Sequence, residues 1–301
     1  MAAADSSARG LAKLIRPQLY AAYPRERLYR LLDELRRHPL ICVIDPPGAG
    51  KTTLLAGYAQ ARGSTTLWMQ LDRGDEDPAT FFYYLRRAAV ASLPRRRLGL
   101  PLLTAEVRAD LAGFTRRWFR KLFQALPPGA LLVFDNYQSI GAEAPLNAIL
   151  RDAAEELGAE ANLVLISRDE PPPAFAGLIA RQLLAILSWD HLRLTEEEAC
   201  AVAVAAQPGI DVAVMRGLLS QCEGWAAGVV LMLERYRQTG AVHHIGRGET
   251  MEAVFNYFAG LIFEQVSTAD RDTLMRAAYL PHPTPALVES LTGATCSPTV
   301  A

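Results

Sequence analysis

Cysteine is scarce in this chain. Four occur in 301 residues, Cys42, Cys200, Cys222 and Cys296, and no two form a C-x-x-C pair. That spacing excludes a disulfide framework and a cysteine-based zinc site, and Cys42, inside an apolar run, reads as core. Long hydrophobic runs are also missing. Nothing approaches the ~18 residues of a membrane span, and the N-terminus "MAAADSSARGLAKLIRPQLY" has no continuous apolar stretch of the kind a secretory leader carries. Nor is there an excess of one charge: 31 Lys and Arg face 32 Asp and Glu, for a net charge of -1, so bulk electrostatics gives no reason to expect a polyanionic partner. G-x-S-x-G and H-E-x-x-H signatures are absent, and His243-His244 has no further ligand at metal spacing. No solenoid-length repeat or low-complexity linker appears. With 50% hydrophobic residues, the expectation is a globular, soluble, cytoplasmic protein of about two domains.

Periodicity then divides the chain near Arg193. "LICVI" (40–44), "TTLWMQL" (65–71), "ALLVFD" (130–135), "NLVLIS" (162–167) and "LLAIL" (183–187) are short, nearly continuous apolar runs, the pattern of parallel strands buried on both faces. Between them lie helical patterns over 51–61, 78–92, about 106–126 and 145–157. In "PRERLYRLLDELRRHP" Leu28, Leu31, Leu32 and Leu35 recur at helical spacing, and Pro39 closes the pattern. Strands alternating with helices predict an α/β domain with about five parallel strands flanked by helices. After "LRL" the pattern becomes all-helical. Thr195 and Glu198 form a capping box; "DVAVMRGLLSQ", "GWAAGVVLMLERYRQ" and "TMEAVFNYFAGLIFEQV" read as helices, and a second box spans Ser267 to Asp270. The final "LTGATCSPTVA" completes no further element, so the chain is expected to stop partway through a larger architecture.

The chemistry concentrates in "DPPGAGKTT" (45–53), between the first strand and the helix after it. Strand, glycine-bearing loop and helix together make a phosphate-binding loop, in which backbone N–H groups and the positive helix end face the phosphates. Pro47, Gly48, Ala49, Gly50, Lys51, Thr52 and Thr53 are the candidate nucleotide-binding residues. Lys51 reaches the β- and γ-phosphates, and Thr52 takes Mg²⁺ through its hydroxyl. Asp45 stands where the usual G-x-x-x-x-G-K-[ST] pattern starts with glycine. Asp135, ending the apolar "LLVFD", is the candidate carboxylate that orients the metal. Asn136 follows it, where an acidic residue would activate water; an amide cannot accept that proton, which predicts metal binding with slow hydrolysis. Arg168, at the end of another strand, is placed to touch a γ-phosphate. The cluster Asp72, Asp75, Glu76 and Asp77 reads first as capping, with Pro78 at the first helical position, and Asp72 stays in reserve for positioning water. The basic stretches Arg95–Arg97 and Arg116–Lys121 read as a loop and a solvated helix face rather than a nucleic-acid surface.

Taken together, "PPGAGKTTLLAGYA", "LDRGDEDPATFFYYL", "LLVFDNYQ", "LVLISRDEPP", "LRLTEEEA" and "CEGWAAGVVLML" resemble, in order and spacing, the nucleotide-binding part of MalT-like regulators, LuxR-type members of the STAND class of signal-transduction ATPases. The resemblance covers the chain from "RERLYRLLDELRRHPL" onward. It implies a P-loop nucleotide-binding domain over 1–193, with 1–24 as an N-terminal extension, a small helical domain over 194–245, and the start of a winged-helix-like region over 246–301. It also implies that ATP favours a self-associating form and ADP a resting monomer, that residues near Arg25 and Arg27 flank the adenine, and that DNA is contacted only through a C-terminal domain outside this chain. Three positions depart from the family pattern: Asp45, Asn136, and Ala226 where a "GWPAG"-type motif carries proline.

The resulting expectation is an ATP/ADP-binding, Mg²⁺-dependent switch module with Asp135, Arg168 and Asn136 around the reacting phosphate. A P-loop kinase of a small metabolite and a non-catalytic scaffold with a vestigial loop are the alternatives. The first would need an arginine-bearing lid, for which the helical half offers no Arg-rich sequence. The second predicts no nucleotide affinity.

Overall fold

The computed structural model describes residues 11–19, 22–93, 98–158, 161–208, 210–240, 268–278 and 288. The tract Arg95–Arg97, His243-His244, the helix expected around 250–266, Ser267 of the second capping box and Cys296 lie outside the described residues.

Contacts divide the chain into two compact units, Met1–Leu192 and Arg193–Ala301. In the first, helix α1 (Glu26–Leu35) leads to β1 (Leu40–Ile44), α2 (Lys51–Ala61), β2 (Thr66–Gln70), α3 (Pro78–Ser92), α4 (Leu111–Ala125), β3 (Ala130–Asp135), α5 (Pro145–Glu156), β4 (Ala161–Ser167), a short α6 (Ala176–Ala180), β5 (Leu184–Leu187) and α7 (Trp189–Leu192). The five strands form one parallel sheet in the order β2-β3-β4-β1-β5. Every residue of β1, β3 and β4 is buried, as expected when helices cover both faces of a parallel sheet. Side-chain alternation along β1 sends Leu40, Cys42 and Ile44 into the core shared with α3, α4 and α5, and Ile41 and Val43 into the core shared with α1 and α2. The first core is rich in aromatics. Phe82 lies 4.9 Å from Phe114 and 5.1 Å from Trp118, ring centroid to centroid, so α3 and α4 are locked together by large rings, each worth about 1.5–3 kcal/mol by burial.

Two local differences from the sequence expectation have clear causes. The helix expected from about residue 106 begins as a 3₁₀ turn at Arg108–Asp110 and becomes α-helical at Leu111, because the Asp110 carboxylate accepts from the Gly113 N–H at 3.0 Å and caps the helix there. The N-terminal extension is partly built into the fold: a 3₁₀ turn at Ala12–Leu14 packs against β2 and α3. Its Lys13 ammonium sits 2.6 Å from both Asp72 and Asp75 and 4.7 Å from the Tyr84 ring centroid. The acidic cluster is accordingly occupied in capping and pairing. Asp72 and Asp75 cap a 3₁₀ turn reciprocally, while Asp77 caps α3 through the Thr80 N–H at 3.0 Å. On α4, Trp118, Phe119 and Leu122 are buried and Arg116, Arg117, Arg120 and Lys121 face solvent.

In the second unit, α8 (Glu196–Ala206), α9 (Val212–Cys222) and α10 (Ala226–Thr239) pack on one another, and α11 (Thr268–Ala277) follows. Thr195 and Glu198 make the capping box read from the sequence. Trp225 is buried at the start of α10, and Gly224 before it has φ +86; a Cβ there would lie 2.7 Å from the Leu194 carbonyl, so the approach of these two segments requires glycine.

Candidate functional site

Parallel strands place all their carboxyl ends along one edge of the sheet, which is where ligands bind in open α/β folds. That edge carries the loop after β1, the loop after β3 and the end of β4. Because β4 lies between β1 and β3, Arg168 rises between the phosphate loop and Asp135.

In the loop after β1, Gly48 and Gly50 take positive φ of 78° and 85°, which turns successive N–H groups toward one side. Gly50 is the N-cap of α2, and no side chain caps that helix. The first turn of α2 therefore presents amide donors at the positive end of the helix without a protein acceptor from a capping side chain. Lys51 folds back over the loop, donating to the carbonyl of Asp45 and, at 2.9 Å, to that of Pro46. Burial holds its ammonium pKa below the ordinary lysine range, opposed by the charges of Asp45 and Asp135 and reinforced by that of Arg168. These charges converge on the cradle.

Asp45 is 2% exposed, and among the described residues neither carboxylate oxygen has a hydrogen-bond donor. Desolvation raises its pKa to about 6 despite the favourable charges of Lys51 and Arg25. Its backbone N–H continues the sheet, donating to the Ser167 carbonyl at 3.3 Å.

Asp135 closes β3 and is buried. Its Oδ2 accepts from the Thr52 hydroxyl at 3.0 Å and its Oδ1 from the Asn136 N–H at 2.8 Å. Hydroxyl and carboxylate thus sit together beside the uncapped helix end. This donor set suits a hard divalent ion that takes its remaining oxygens from phosphate and water, the usual manner of Mg²⁺. Among the described residues, no group of three or more His, Cys, Asp or Glu is placed to hold a metal.

Asn136 adopts the left-handed conformation, φ 65° and ψ 36°, which asparagine tolerates better than most residues. Its amide donates to the Leu71 carbonyl at 3.1 Å and to the Ser139 hydroxyl at 2.7 Å, and its Oδ1 accepts from Gln138. Gln138 in turn accepts from the Arg168 N–H at 3.2 Å. Sequence reasoning singled out Asp135, Asn136 and Arg168 but not Gln138, which ties the loop after β3 to the end of β4. No motif marks a glutamine three residues past the strand, and the left-handed backbone of Asn136 lies between the strand and this residue. The Arg168 side chain is exposed and, among the described residues, has no ion pair with Asp169 or Glu170.

Arg25 is the buried N-cap residue of α1, close enough to Asp45 to act on its charge, and Arg27 is exposed and donates to the His191 carbonyl at 3.0 Å. Lys51, Thr52, Asp135, Arg168 and Asp45 meet at one edge, whereas the "GWAAG" segment belongs to the second unit.

Such an edge defines a P-loop nucleoside-triphosphatase fold with a phosphate-loop lysine, a following threonine and a strand-end aspartate. No family profile matches the chain. Its fold is that of a Signal Transduction ATPase with Numerous Domains (STAND) protein with a tetratricopeptide repeat sensor from Pyrococcus horikoshii, with a TM-score of 0.60 at 15% identity over 92% of this chain and 37% of that one. By sequence the chain is similar to MalT regulators: it is 30% identical to the HTH-type transcriptional regulator MalT of Cronobacter sakazakii and 27% identical to MalT of Vibrio cholerae, over 93% of its own length in each case. It spans about a third of the length of these curated relatives, 32% of each.

Proposed function

We propose that this chain is the ATP/ADP-binding switch module of a MalT-like transcriptional regulator, with slow hydrolysis and nucleotide-dependent self-association. The observation that carries the reading is the uncapped start of α2 flanked by Lys51 and by the Thr52–Asp135 hydrogen bond, a cradle for polyphosphate with a metal position beside it. In this reading Pro47 to Thr53 wrap the phosphates and Lys51 leaves its loop carbonyls for the β- and γ-oxygens. Thr52 and Asp135 hold Mg²⁺, whose charge neutralises the phosphate oxygens. Arg168 senses the γ-phosphate, and Arg25 and Arg27 flank the adenine. Asn136 supplies no base, since its side chain is an amide already engaged by Leu71, Ser139 and Gln138.

The same reading assigns residues 194–245 to a small helical domain and 246–301 to the start of a winged-helix-like region. ATP and ADP would shift the module between forms only through their different affinities for them. Promoter recognition is assigned to the part of such a regulator that this chain does not span. The expected location is the cytoplasm, and among the described residues no helix is long and apolar enough to cross a membrane. Calorimetric titration of Mg-ADP and Mg-ATP into wild type and Lys51→Ala tests the reading. Saturable heat with wild type that is lost in the variant supports it, and equally negligible heat from both sinks it.

A further inference from the structure

The residue in place of the motif's first glycine has a physical consequence. Asp45 is nearly fully buried, carries two carboxylate oxygens without donors among the described residues, and lies beside Lys51, whose ammonium is held on the carbonyls of Asp45 and Pro46. A buried carboxylate lacking hydrogen bonds is costly, and what offsets that cost is nearby positive charge. The cations facing Asp45 are Lys51 from the start of α2 and Arg25 from the start of α1, and across the cradle Asp135 and Arg168 act on Lys51 with opposite signs. The lysine required by an incoming phosphate is thus the one on which Asp45 depends.

We propose that Asp45 is a positioning residue that competes with the nucleotide for Lys51, so that phosphate binding withdraws the ammonium and the carboxylate takes up a proton. The inference rests on the nucleotide-binding reading above. Binding places phosphate anions near the carboxylate and removes part of its compensating charge. Both changes favour the neutral acid. In the free chain Asp45 titrates near 6; in the nucleotide complex it titrates higher. Below the first value both forms are neutral and binding is strongest. As pH rises through the interval the free chain ionises first, and affinity falls by up to a factor of ten for each unit separating the two values. The physical effect is a phosphate loop detuned at neutral pH, whose nucleotide is released more readily than a glycine at this position would allow.

The test is a calorimetric titration of Mg-ADP at pH 6, 7 and 8 into wild type and Asp45→Asn, with Asp45→Gly as a second variant that leaves no buried amide. Wild type should bind about tenfold more weakly at pH 8 than at pH 6 once the variant's own profile, which contains the titration of the nucleotide, is divided out. Both variants should bind more tightly than wild type at pH 8. Titration of wild type alone at pH 7 in two buffers of different ionisation heat should show net proton uptake, a readout that does not require the variants to fold. Parallel pH profiles for wild type and variants, or no proton uptake by wild type, would overturn the competition while leaving nucleotide binding intact. Absence of binding by all chains at every pH would overturn the nucleotide reading and this inference with it.

Discussion

The loop after β1 and the loop after β3 lie on the same edge of the sheet and solve opposite problems. In the first, among the described residues, the α2 amide donors have no side-chain cap and Asp45 has no hydrogen-bond donor, while Lys51 rests on carbonyls of its own loop. In the second, Asn136 is bonded to Leu71, Ser139 and Gln138, and Gln138 goes on to the backbone of Arg168. One loop holds polar groups without fixed side-chain partners; the other has its groups committed. The switch proposed above needs both, because a ligand shifts an equilibrium only where contacts differ between states, and the shift is transmitted only through parts that do not yield.

The largest expected effect breaks the first loop. Lys51→Ala should weaken Mg-ADP binding by at least roughly 100-fold, the order expected for charge-assisted bonds to phosphate, with an unchanged circular-dichroism spectrum. Next, Asn136→Asp tests the committed loop with a residue that also accepts the left-handed conformation. A carboxylate facing the Leu71 carbonyl loses the donated bond and adds repulsion, so stability in urea should fall by about 2–3 kcal/mol. Single-turnover ATP hydrolysis should not rise; a rise would show that position 136 reaches the attacking water and that the loop is not committed after all. Asp45→Asn should act in the other direction. The rise of its pKa from 3.8 to about 6 means that the folded chain retains a proton which the unfolded chain has released, so stability falls as pH rises between those values. The variant should therefore exceed wild type by about 2 kcal/mol at pH 7, roughly 3 from the shift less about 1 for an unpaired amide, and should fall about 1 kcal/mol below it well under pH 4, where the shift no longer contributes. The smallest effect is Gln138→Ala, expected to cost about 1 kcal/mol and to loosen the end of β4, seen as faster amide exchange at Arg168.

The strands were legible because each is a short apolar run buried on both faces, and the caps at Asp77 and Thr195 because capping is local chemistry. The phosphate loop was legible for the same reason. The burial of Asp45 without a donor was not, since it depends on α1 and Lys51 closing around a residue that the motif treats as a variable start. The amide network of Asn136 was hidden because it is set by a backbone angle and by the Leu71 carbonyl, 65 residues away. At Asn136 the sequence suggested only a missing base; the bonds to Leu71, Ser139 and Gln138 give the side chain a structural occupation that its chemical type alone does not reveal.

Lys13 changes where the first unit can be cut. Asp75 is fully buried, one of its oxygens lies 2.6 Å from the Lys13 ammonium, and burial holds its pKa above the usual carboxylate range in spite of that partner. An excised fragment starting at α1 would satisfy every helix and strand boundary yet leave this carboxylate sealed in without its counter-ion. Residues 11–14 behave as a peg set against β2 and the turn that follows it, so the smallest separable form of the first unit begins ahead of its first helix.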